Sequence, residues 1–164
     1  MPRLDVLSIP IATFALCVCT AVCAQRFEER FVQAMEEGDY ERAIAMHQPM
    51  AESGDPEFQF AVGYLLLEWF LDPKPKAPAT HSYQDALRWI YRAIDEGIPQ
   101  AAGTVRSGYE WGRYSLPKNE ELEQCWRNVE EQRGPEIRRT ASALCDALET
   151  KLGVGRAGLD AARQ

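Results

Sequence analysis

The amino-acid sequence predicts an all-α fold, a short right-handed α-solenoid of antiparallel helix-turn-helix repeats, about two and a half units long. Three observations carry that expectation. Blocks Asp39–Gly54, Ser82–Gly97 and Asn119–Gly134 align without a gap, 16 residues each; each opens on a side chain able to cap a helix N-terminus and closes on a glycine able to take the left-handed conformation. A proline follows each glycine within two residues, at Pro56, Pro99 and Pro135, where the first turn of a new helix tolerates its missing N–H. The block starts lie 43 and 37 residues apart, a period that accommodates two helices.

Taken in chain order, residues 1–24 read as a bacterial signal peptide. Arg3 supplies the positive end, Val6 to Val22 the apolar run, and Val22-Cys23-Ala24 a small-x-small site that places cleavage between Ala24 and Gln25. The run is short of the ~20 residues a membrane-spanning helix needs, so no stable membrane insertion is expected once the leader is gone. A lipoprotein cleaved before Cys23 is the alternative, but Thr20-Ala21-Val22 lacks the small residue wanted just before the cysteine. The expected location is therefore periplasmic or secreted.

Phe27, Phe31 and Met35 then make an amphipathic opening helix. The first block follows, with Pro49 inside it expected to kink the helix or end it early. Phe58 to Leu71 is apolar nearly all round and reads as a central helix packed on several sides. The Asp72–Thr80 segment is proline-rich, hence stiff and extended, and should expose Lys74 and Lys76. In the third block Leu122, Cys125, Trp126 and Val129 share one face; on the next helix Ile137, Ala141, Leu144, Cys145, Leu148 and Leu152 form one stripe that is expected to face it. The helical domain should span 25–152, and Gly153 to Gln164, without an apolar period, should be a flexible tail.

Export leaves Cys125 and Cys145 as the cysteines of the mature chain, and an even pair in an oxidising compartment reads as a disulfide. Geometry agrees. Cys125 lies nine residues before the Gly134 bend and Cys145 eleven after it, so at ~1.5 Å per residue both stand about 15 Å from the turn.

The repeated blocks, together with Ala61-Val62-Gly63-Tyr64, Tyr83 to Trp89, Ala93-Ile94-Asp95-Glu96-Gly97 and Gly108-Tyr109-Glu110-Trp111-Gly112, resemble the Sel1-like repeat proteins, relatives of the tetratricopeptide solenoids. The resemblance covers about residues 39 to 134 and departs from the family pattern in two places: Asp72–Thr80 replaces the usual glycine turn, and Glu123 stands where a small alanine belongs. It implies protein binding, as an exported adaptor or scaffold without catalytic activity of its own, and names no ligand. A dedicated inhibitor or immunity-type partner of a secreted protein is the alternative, and an envelope hydrolase the third reading.

Residues that could carry chemistry are scarce. His47 and His81 are 34 positions apart with no carboxylate or cysteine at ligand spacing, so no metal or other cofactor is expected. The sequence contains no phosphate-binding glycine loop, nucleophile elbow or Cys/His pairing, and Glu36-Glu37 and Glu130-Glu131 read as solvated helix surface. The net charge of −7 argues against a nucleic-acid partner. The charge is uneven: Arg26 to Asp72 holds 11 acidic residues against 3 basic, net −8, which could attract a basic partner or simply keep that half soluble. The aromatic set Trp111 and Tyr114, interleaved with Arg106 and Arg113, has the residue types of binding hot spots, and with Lys74 and Lys76 forms the candidate partner-binding set; Tyr109 reads as core.

Overall fold

The computed structural model describes residues 25–161; the expected leader, with its expected cleavage after Ala24 and the alternative lipid site at Cys23, lies outside them. Every regular element among the described residues is a helix. A first helix, α1, runs through residues 25–36; α2 (Tyr40–Glu52), α3 (Pro56–Leu71), α4 (Tyr83–Asp95), α5 (Pro99–Trp111), α6 (Glu120–Glu131), α7 (Pro135–Leu152) and α8 (Gly155–Ala161) follow. None of them is long and apolar enough to cross a membrane.

The repeated blocks become α2, α4 and α6, and their caps work as the residue types demand. Asp39 accepts from the Arg42 N–H at 3.1 Å, Asn119 from the Leu122 N–H at 2.9 Å, and Ser82 and Asp85 form a reciprocal capping box. Pro56, Pro99 and Pro135 sit in the first turns of α3, α5 and α7. Pro49 does not end its helix at once: α2 continues three residues past it to Glu52. The proline falls in the last turn, where only one interior hydrogen bond is forfeited before Ser53 caps the end through its N–H to Pro49 O at 3.1 Å.

Each helix from α2 onward packs on its sequence neighbour, and α7 and α8 also return to α4. Two cores result, with α4 as the wall between them. Ala34, Ile44, Val62, Leu66 and Trp69 build the N-terminal one, which reaches Ala86 of α4. Leu87, Ile90, Tyr91 and Ile94 on the rest of α4 open the other, together with Val105, Tyr109, Leu122, Trp126, Val129 and Cys145. Gly63 lets α3 and α4 approach closely, since a Cβ there would stand 2.8 Å from Ile90 Cδ1.

Two expectations for the C-terminal end are corrected. The segment from Gly153 is not a tail through its described length: α8 folds onto the protein and buries Leu159 at 5% exposure in the second core. The reason is local. Gly153 and Gly155, both at positive φ, turn the chain back after α7, and Val154 and Leu159 then meet apolar surface. The second correction concerns α7. Its buried edge is Ser142, Cys145 and Glu149, while Leu144 is 73% exposed, Ile137 54% and Leu152 43%. The apolar stripe is thus turned about a quarter of the way round the helix from the edge that packs.

Candidate binding surface

The most completely buried polar side chain among the described residues is Glu149, with no exposed surface. Its Oε1 accepts from Tyr91 Oη at 2.7 Å, Tyr109 Oη at 2.9 Å and Trp126 Nε1 at 3.0 Å, and its Oε2 from the Arg156 N–H at 2.9 Å. Four elements, α4, α5, α6 and α8, are therefore tied to one side chain of α7. Gly155 is what lets α8 pass, because a Cβ there would collide with the Glu149 carboxylate and the Tyr109 hydroxyl. Burial, with the facing Glu149 second, pushes the Tyr91 and Tyr109 hydroxyls well above the usual phenol range, so both remain donors. The Arg156 guanidinium covers this node from outside, 4.7 Å over the Tyr91 ring and 2.8 Å from Asp95 Oδ1. A carboxylate so enclosed and so fully hydrogen-bonded has no room for a substrate; it fastens helices together.

Cys125 and Cys145 add a second tie across the α6–α7 hairpin, with the sulfurs at bonding distance, 2.08 Å, and the Cα atoms 5.7 Å apart.

The residues read from sequence as a binding set do not form one cluster. Trp111, the last residue of α5, is 61% exposed. It stands at the rim of a cleft of about 350 Å³ between α5 and α6, whose walls include Glu110, Lys118, Glu120, Glu123 and Arg127. Arg106 is committed to internal pairs, its Nη1 2.7 Å from Glu110 and its Nε 2.7 Å from Glu130. Tyr114 is half-buried, touches both cores, packs its ring 6.1 Å from that of Tyr83 and has φ 59. It wedges the α5–α6 connection rather than offering a free surface. Arg113 beside it is exposed.

Lys74 and Lys76 lie in the N-terminal half, apart from these. Lys76 is held, its Nζ 2.6 Å from Asp39 Oδ2 and its N–H on Gly38 O at 3.0 Å; Trp69 Nε1 ties the same loop through Ala77 O at 2.8 Å. The proline-rich loop is thereby stapled to the α1–α2 turn, and only Lys74 projects from it without an ion pair among the described residues. Among the same residues no group of three or more His, Cys, Asp or Glu is placed to hold a metal.

Glu149 escaped the sequence reading. The signal lay in its partners: Tyr91, Tyr109 and Trp126 each carry a polar tip that must find a bond once the ring is buried, and their convergence required an acceptor. No family model, curated protein or solved structure matches this chain.

Proposed function

We propose that the chain is an exported adaptor that binds another protein and performs no chemistry of its own, built as a short right-handed solenoid of Sel1-like repeats. The repeat reading rests on α2, α4 and α6 occupying the three aligned blocks with the same cap and glycine boundaries. Export is supported by Val22-Cys23-Ala24 ahead of Gln25 and by a cysteine pair at bonding distance. The single observation that carries the binding role is Trp111, a large aromatic left 61% exposed at the edge of a cleft with charged walls. The excess of acid over base between Arg26 and Asp72 favours a partner with a basic surface. The inhibitor reading draws on that same acidic half.

A photo-cross-linking residue in place of Trp111, introduced into the exported protein in its native compartment, tests the proposal. Cross-links to several partners at modest yield are expected of an adaptor, one stoichiometric partner of an inhibitor. Absence of any protein adduct, with adducts absent also from sites around the cleft, overturns both.

A further inference from the structure

The exposed side of α7 has no function in the reading above. Ile137, Leu144 and Leu152 are 54%, 73% and 43% exposed and, with half-buried Leu148, run along one stripe of the helix. The stripe borders an open groove of about 710 Å³ that includes Glu120, Glu121, Gln124, Cys125, Asn128 and Leu148 along its walls. Solvated aliphatic residues rarely gather in line on a surface that nothing covers.

Charge decides what covers them. Glu120 and Glu121 line the groove on its α6 side and exposed Glu131 stands further along the same helix, and none of the three has an ion-pair partner among the described residues. A second copy is the obvious alternative occupant, because antiparallel pairing centred between Leu144 and Cys145 would set Ile137 opposite Leu152 of the other chain. The Cys125–Cys145 bond, however, holds α6 level with α7. The same symmetry then brings Glu120 and Glu121 toward Glu131 of the second copy, with exposed Arg133 two residues beyond it, so a second copy meets these acids with only partial charge complementarity.

We propose that the α6–α7 face binds an amphipathic helix of the partner protein, one that lays an apolar stripe along Ile137, Leu144, Leu148 and Leu152 and presents lysines or arginines to Glu120, Glu121 and Glu131. This deepens the adaptor reading and rests on it. The face reads its ligand as helix grooves generally do, through apolar anchors at successive turns with flanking charge setting orientation and specificity.

The probe is an 18-residue helical peptide with leucines on one stripe and lysines elsewhere, titrated by fluorescence anisotropy into the full mature chain. A peptide with glutamates in place of the lysines is the control. Binding of the leucine–lysine peptide is expected to weaken about ten-fold in Leu144→Asp and severalfold in the Glu120→Lys/Glu121→Lys pair, and to stay unchanged in Tyr64→Ala on the remote α3. All these positions are exposed, and circular dichroism verifies that the variants fold. The proposal is overturned if Leu144→Asp binds the peptide as tightly as the parent, or if the glutamate peptide binds equally well. It is overturned in favour of a second copy if sedimentation finds a dimer that Leu144→Asp dissociates. Should Trp111 cross-link a partner whose binding ignores Leu144→Asp, the adaptor role stands and this face is not its docking site.

Discussion

The two cores on either side of α4 are built by different means. The N-terminal one closes on Val62, Leu65, Leu66, Leu67 and Trp69, and its buried polar groups serve only their own neighbourhood: His47 Nδ1 lies 2.9 Å from Ala43 O, and Gln59 Nε2 donates to Ala51 O at 3.3 Å. The C-terminal core has comparable apolar packing but also a central carboxylate with four donors and a covalent link between α6 and α7. Apolar packing is non-directional and tolerates volume-conserving exchange. A buried hydrogen-bonded node is all-or-none, since each donor loses its solvation on folding and regains a partner only while the acceptor is present. One half should therefore yield gradually to mutation and the other at a few points.

The largest expected effect is at the node. Glu149→Ala removes the buried acceptor of two tyrosine hydroxyls and an indole N–H and opens a cavity, together costing about 4 kcal/mol. Leu66→Met in the other core should cost less than about 1.5 kcal/mol. Chemical denaturation of the pair checks the contrast, and equal losses in the two variants would erase it.

Next comes the covalent link. Closing a loop across a sequence separation of 20 contributes ~3 kcal/mol in the chain-entropy model, so the Cys125→Ser/Cys145→Ser variant should lose about that much. The loss belongs to the C-terminal half alone. Native-state hydrogen exchange should show α6 and α7 opening more readily while α2 and α3 keep their protection, and a uniform decrease would mean the cores unfold as one. Thiol titration of the unfolded, non-reduced chain beginning at Gln25 should find no reactive cysteine.

How far these differences could be read from the sequence varies along the chain. Caps, glycines and prolines act within a few residues, so Asp39, Ser82 and Asn119 mark the starts of α2, α4 and α6 correctly. The level of Cys125 and Cys145 about the Gly134 bend followed from helix rise alone. Failures came where long-range contacts outrank local pattern. Apolar periodicity put Leu144 and Cys145 on one packed stripe, yet the bonds made by Glu149 and Cys145 rotate α7 so that Leu144 faces out. Gly155 looked like a chain-end residue because the carboxylate it makes room for lies in a different helix. Of the binding set Trp111 stands exposed at a cleft, whereas Arg106 and Lys76 are spent on partners that no spacing rule would choose, 24 and 37 positions away in sequence.

The smallest expected effect separates the halves by pH. Burial raises the Asp146 carboxyl to about 6, against the opposing pull of Arg156, whose Nε lies 3.4 Å away. The folded chain thus holds this proton more tightly than the unfolded chain, whose ordinary value is 3.8. Above pH 6 the cost of an ionised, partly buried Asp146 is fully present; as pH falls from about 6 to about 4 it is relieved, and stability rises. Asp39 in the N-terminal half behaves oppositely. Its hydrogen bond from Lys76 lowers its pKa, so the stability it contributes is complete above 3.8 and lost only on further acidification. Denaturation midpoints at pH 7, 5 and 4 should show a modest rise that Asp146→Asn abolishes, with partial solvent screening keeping it below about 1 kcal/mol. Persistence of the rise in Asp146→Asn would place the titrating group elsewhere, and a parent protein that loses stability steadily from pH 6 downward would mean that the Arg156 pairing outweighs the burial of Asp146.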